Sequence, residues 1–145
     1  MLAPYWRLRV LNSTDQTLTY NDGARITVTM QPWKLSSGNL FYGTDISDDM
    51  GLGAGGSIAA DAELEGDVQD NTSNLYWGIK GYFEVTADLT STDGEMYLYL
   101  EESPDNTNWP SDQADFDITK HMRLISVLEL STDATDESAG INFEF

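Results

Sequence analysis

Alternation of apolar and polar residues with a period of two dominates the chain, and that period is the signature of half-buried strands. From Tyr5 to Leu11, Trp6, Leu8 and Val10 share one face while Arg7 and Arg9 share the other. Arg25 to Met30 repeats the pattern, with Ile26, Val28 and Met30 opposite Arg25, Thr27 and Thr29. Glu95 to Glu101 sets Met96, Leu98 and Leu100 against Tyr97 and Tyr99, and the last residues set Ile141, Phe143 and Phe145 against Asn142 and Glu144. Asp22-Gly23 and Asp93-Gly94 separate such runs and supply the positive φ of tight turns, which predicts two hairpins: Thr17–Tyr20 with the Arg25 strand, and Tyr82–Leu89 with the Glu95 strand. Met122 to Leu130 is apolar on both faces, with Met122, Leu124, Leu128 and Leu130 on one and Ile125 and Val127 on the other, and reads as a central strand covered on both sides. Residues 45–56, rich in Gly and Asp, read as a flexible loop. Residues 57–65 alternate as a strand yet have helix-favouring composition; the hairpin-rich surroundings favour a strand. About eight strands result, and the expected fold is all-β: a single antiparallel β-sandwich domain over 1–145, jelly-roll-like.

Charge changes this picture more than size does. At 145 residues the chain is long enough to stand on an ordinary core. It has no cysteine and one histidine, His121, which removes thiol chemistry and any site built from several histidines. Twenty-five acidic residues against seven basic ones give a net charge of −18, which repels phosphate backbones and anionic lipid, so neither nucleic acid nor membrane is an expected partner. No run approaches the ~20 apolar residues of a membrane helix, and the opening residues lack the basic and apolar regions of a secretory signal. The charge is unevenly spread: residues 1–40 carry four cations and two acids, and the rest carries three cations and 23 acids. Arginines on the polar face of an early strand explain this in one reading; in the other, segment 1–12 is a contact arm for an acidic partner. Aspartate outnumbers glutamate, 16 to 9, and lysine is held to three, a composition suited to a salty medium.

Few constellations offer chemistry. A carboxylate pair is the one catalytic device the composition supplies in quantity, with Glu101 and Glu102, or Glu84 and Glu95, as candidates. Strand glutamates more often form a solvent-facing row. His121 has no serine motif beside it. Asp112, Asp115 and Asp117, and separately Asp45, Asp48 and Asp49, are loop oxygens of the kind calcium takes, but without EF-hand spacing, and loop aspartates also bind back to their own backbone. Tyr97 and Tyr99 form an aromatic row that suits either a subunit interface or, with Trp109, stacking on sugar rings; the interface is favoured. Ser103-Pro104-Asp105-Asn106-Thr107-Asn108-Trp109-Pro110 partly resembles the Asp-box turn of sialidases but lacks its glycine and is one residue short. Its residues predict a local device: Pro104 fixes the backbone, Asp105 and Asn106 bond back to it, and Trp109 folds over the turn.

Taken from Trp77 to Phe145, the order of Gly-Tyr-Phe-Glu-Val strand, Asp-Gly turn, Met-Tyr-Leu-Tyr-Leu strand, Ser-Pro-Asp-Asn-Thr-Asn-Trp-Pro loop, long apolar strand and terminal Asn-Phe-Glu-Phe resembles small β-sandwich virion proteins of tailed bacteriophages. The resemblance spans about half the chain. It implies a non-enzymatic structural protein without cofactor, in particular a capsid decoration (cement) protein. Such a protein would be made in the host cytoplasm and would sit on the capsid surface of the virion, bound to the major capsid protein and to copies of itself as a trimer. In that scheme Trp6, Arg7 and Arg9 contact the shell, and Tyr97, Tyr99, Ile125 and Val127 lie between copies. The alternative is a carbohydrate- or receptor-binding module.

Overall fold

The computed structural model describes residues 1–19, 26–52, 56–87, 92–132 and 137–145, with the backbone alone at 92, 93, 131, 132 and 137. In chain order the strands are β1 (Tyr5–Thr14), β2 (Leu18–Thr19), β3 (Ile26–Ser36), β4 (Asn39–Tyr42), β5 (Ile46–Asp48), β6 (Ser57–Ile58), β7 (Glu63–Glu65), β8 (Gln69–Asp70), β9 (Gly78–Ala87), β10 (Thr92–Ser103), β11 (Arg123–Thr132) and β12 (Glu137–Glu144). A 3-10 turn at Pro110–Asp112 and one helical turn, α1 (Ile118–His121), interrupt the path between β10 and β11.

The architecture is an all-β sandwich of two antiparallel sheets. Sheet A runs β11-β10-β1-β7, with β8 also on β1; sheet C runs β12-β9-β3-β4, with β5 also on β3. The long strands act as three bent arms. β1 pairs with β10 in sheet A while β3 pairs with β9 in sheet C, and β10 pairs with β11 while β9 pairs with β12. Each arm therefore places one strand in each sheet. The alternation seen in the sequence fills the space between: Trp6, Leu8, Val10, Ile26, Val28, Met30, Met96, Leu98 and Leu100 are all buried, as are Ile79, Phe83 and Val85. Each such side chain contributes about 1.5–3 kcal/mol on leaving water. Asn12, fully buried where β1 ends, donates to the carbonyls of Gln16, Ile58 and Ala59 and accepts from Thr14, so the crossing leaves its amide satisfied.

Several expectations change. Neither hairpin forms as expected: β2 pairs with β6, not with β3, and β9 and β10 lie in different sheets. The Asp22-Gly23 turn lies outside the described residues. Gly94 sits inside β10, where Thr14 on β1 comes so close that a Cβ would fall 2.7 Å from its Cα. Segment 1–12, one reading of which was a contact arm, holds instead the strand between β10 and β7. β11 is an edge strand, not a central one. Its register slips against β10 between Leu98 and Tyr99, and the slip moves Leu124 outward (48% exposed) while Ile125 packs against the core. Residues 45–56 are not wholly loop: β5 pairs with β3, and Met50 is buried.

Candidate binding face

The outer face of sheet A is closed over around Arg7, Arg9 and Glu101. After β10 the chain folds back across it through the 3-10 turn and α1, and beneath this cover Arg7 is 7% exposed and Glu101 fully buried. Arg7 donates through Nε to Glu101 Oε2 (2.6 Å), through Nη2 to Ser111 Oγ (3.1 Å), and pairs with Glu65. Its guanidinium stacks 4.2 Å from the Trp109 ring centroid. Arg9 donates to the same Glu101 Oε2 (2.9 Å), to Glu65 (2.5 Å) and to Glu63 (3.2 Å). Glu101 Oε1 accepts the Ser111 N–H at 2.8 Å, which ties the cover to the sheet. Burial by itself would push the Glu101 carboxyl up, but the hydrogen bonds from Ser111, Arg7 and Arg9 outweigh it and hold the group below the usual glutamate range.

This arrangement corrects the expected contact residues. Trp6 lies in the core at 2% exposure, and Arg7 and Arg9 are spent on internal ion pairs, so none of the three offers a surface to a shell. Tyr99 is buried, and its phenol is pushed up by burial and then by the charges of Asp117 and Glu63. Trp109 is also buried, which removes both as sugar platforms. Ile125, partly buried, packs against the core, and Tyr97 and Val127, equally half-buried, stand opposite one another on β10 and β11.

The other candidates dissolve into local roles. Glu84 and Glu95 lie in different sheets. Glu101 is locked under the cover, while Glu102 accepts the Ala3 N–H. His121 Nδ1 accepts the Asp117 N–H, and its ring stacks on Phe116. Asp117 caps α1 through Thr119 and pairs with Lys120, which hold its carboxyl down at about 2. Asp112 accepts the Trp109 N–H. Asp48 is buried, accepts the N–H groups of Met50 and Asp67, and is pushed up by burial. Among the described residues no three His, Asp or Glu side chains gather as a metal site. Asp105 accepts from the backbone of Asn108 and Thr107, both of which hold it low, and Ser103 donates to the Asn108 carbonyl, so Asp105 plays the part in the turn that the sequence predicted, whereas Trp109 stacks on the Arg7 guanidinium.

The outer face of sheet C is open by contrast. Thr29 and Gln31 of β3, Lys80 and Tyr82 of β9, and Asn142 and Glu144 of β12 stand side by side in register across three adjacent strands. With Asp45 they line a cleft of about 580 Å³. Tyr82, 41% exposed, reaches diagonally across β12 to Gly140, where any Cβ would overlap its Oη and Cζ. Trp33 uses Gly78 in the same way: a Cβ there would fall 2.8 Å from the indole ring. Farther along, the β3–β4 hairpin exposes Leu35, Leu40 and Tyr42 on this face and Phe41, paired with Lys34, on the opposite side of β4, each at 44–49%. From Ile26 to Thr44 the sequence contains no acid and one cation, Lys34.

Sequence reasoning missed this face. The signals were present, namely an acid-free stretch of 19 residues in a chain with 25 acids, and Gly140 opposite a tyrosine-bearing strand, but the pairing that gives them meaning is long-range. Comparison with protein-family models, with curated proteins and with solved structures finds no match to this chain.

Proposed function

We propose that the protein is a non-catalytic structural protein of a tailed-bacteriophage particle, a capsid decoration protein that docks on the major capsid protein from outside and reinforces the shell as a symmetric oligomer. The virion resemblance of residues 77–145 supports the reading, and one observation carries it: the exposed, acid-free β3–β4 hairpin. Apolar area left in water is unfavourable by about 25 cal/mol per Å², which favours a partner at Leu40, Phe41 and Tyr42. A surface bearing −18 repels an acidic neighbour least where it has no acid. The hairpin therefore replaces Trp6, Arg7 and Arg9 as the docking element, and Leu124, Val127 and Tyr97 along the β11 edge remain for contacts between copies. Many weak copies of such contacts act together on a symmetric shell.

Co-sedimentation with purified particles lacking the protein tests this. Wild type is expected to bind at saturable sites, Phe41→Asp and Leu40→Glu to bind at least about 100-fold more weakly, in line with loss of a central apolar anchor. Light scattering is expected to show an oligomer that does not change with dilution. Wild-type binding by both variants, or absence of the chain from virions labelled with antibody against it, would overturn the reading.

A further inference from the structure

We propose that the cleft on the outer face of sheet C is a binding subsite for a neutral pyranose unit of an oligosaccharide, with Tyr82 as the platform on which the sugar ring stacks. The inference goes beyond capsid docking and does not depend on it, since its platform, Tyr82, stands on β9 and not on the Leu40–Phe41 tip of the β3–β4 hairpin.

Three features point to this ligand class. The first is the platform. Gly140 lets the Tyr82 ring lie against the sheet instead of standing out from it, so that part of an aromatic ring stays exposed above three strands. The C–H groups on the apolar side of a pyranose carry a slight positive charge and pack against the electron-rich ring face. The second is the polar rim. Among the described residues, the Tyr82 hydroxyl, the Asn142 amide and the Glu144 carboxylate have no hydrogen-bond partner, and Lys80 has no ion pair. A donor-only ammonium, an acceptor-only carboxylate, an amide and a phenol match the mixed donor and acceptor character of ring hydroxyls. Gln31 and Asp45 are braced against each other at 2.7 Å and give the cleft a fixed wall. Lys80 is itself held in place, with its ammonium 3.8 Å from the centre of the Tyr42 ring. The third is size and charge. The depression, about 580 Å³, is open and shallow, which suits a sugar ring lying on one face against the sheet. One cation against Asp45 and Glu144, on a chain of net charge −18, disfavours uronic or sialic acids and selects neutral sugars.

Affinity electrophoresis through gels containing hydroxyethyl cellulose, galactomannan, laminarin, dextran or xyloglucan, with polygalacturonate as the anionic arm, tests the proposal. Saturation-transfer NMR on hexasaccharides of the same series is the second readout. Wild type is expected to be retarded by at least one neutral polymer and not by polygalacturonate, with little change on adding salt. Tyr82→Ala is expected to lower that affinity at least tenfold and Asn142→Ala several-fold, whereas Phe41→Asp leaves it unchanged. Near-ultraviolet circular dichroism of each variant verifies the fold. Retardation that survives Tyr82→Ala overturns the proposal, as does silence on the whole neutral panel in both readouts. Loss with Phe41→Asp but not with Tyr82→Ala assigns the binding to the hairpin and equally overturns it. Particle binding by Phe41→Asp and Tyr82→Ala separates this failure from failure of the docking reading.

Discussion

On the outer face of sheet A, Arg7, Arg9, Tyr99 and Glu101 lie beneath a chain excursion between β10 and β11, and their charges are consumed internally. On the outer face of sheet C, Gln31, Lys80, Tyr82, Asn142 and Glu144 come from strands of the same alternating kind, yet lie open around a cleft. Period-two alternation says which side chains leave the core; it does not say whether they then meet water. What separates the faces is the stretch from Ser103 to His121, whose Asp105 turn reverses the chain and whose Ser111 N–H ends on Glu101. One face thereby becomes a second, polar interior, and the other remains available to a partner.

The strongest way to break this contrast is to remove the charge at the centre of the covered face. Glu101→Gln keeps the shape but leaves Arg7 and Arg9 without their shared carboxylate in a buried setting, which costs about 3–5 kcal/mol. Urea unfolding at neutral pH is expected to show that loss, together with earlier proteolytic cleavage between Pro104 and His121. A change below 1 kcal/mol would mean that water already reaches the pair and that the face is not an interior.

Acid should act through the same group. Glu101, Asp105 and Asp117 all have folded carboxyls held below their unfolded values, so their stabilisation is present above about pH 4.5 and is lost as pH falls through the folded values, the lowest at about 2. Asp48 runs the other way, because its raised folded value makes the protein gain stability as it takes up a proton. With Asp70, also held low by the Thr72 hydroxyl and N–H, four lowered groups against one raised predict net destabilisation between about pH 4.5 and 2. A pH series of melting curves checks this, and Glu101→Gln is expected to flatten it.

The open face should answer mutation differently. Phe41→Asp and Tyr82→Ala are expected to change unfolding free energy by no more than about 0.5–1 kcal/mol, as for exposed positions outside special features, while abolishing the interactions assigned to them. A loss above 2 kcal/mol in either variant would mark that residue as structural and blur the contrast.

How much of this could be read from the sequence follows from the range of each interaction. The inward faces of β1, β3 and β10 were legible because alternation is local: Trp6, Leu8, Val10, Ile26, Val28, Met30, Met96, Leu98 and Leu100 are all in the core. The Ser103–Trp109 turn was legible for the same reason, since every bond of Asp105 is made within three residues. The hairpins were not, because Asp93-Gly94 looks the same whether the flanking strands pair or cross between sheets. Leu124 and Ile125 exchanged faces because a bulge is set by the partner strand. Arg7 and Arg9 looked like surface charge because their partners stand 54 to 94 residues away, at Glu63, Glu65 and Glu101. An Arg-x-Arg strand and a Glu-x-Glu strand in one chain were the available hint, but nothing local says they are neighbours.

Salt gives the smallest effect and sharpens the contrast most finely. At 0.15 M the screening length is about 8 Å, so repulsion among the exposed carboxylates weakens while the covered network, shielded from solvent, is little affected. Melting temperature is expected to rise by a few degrees between 10 mM and 1 M sodium chloride, about 1 kcal/mol for a chain of this size. The same increment is expected in Glu101→Gln, because the ions that screen the surface do not reach the site of that substitution. An equal melting temperature at both salt levels would remove the idea of an exterior adapted to salt. A markedly different increment in the variant would show that ions penetrate the Ser103–His121 cover, and that the two faces differ in degree of exposure, not in kind.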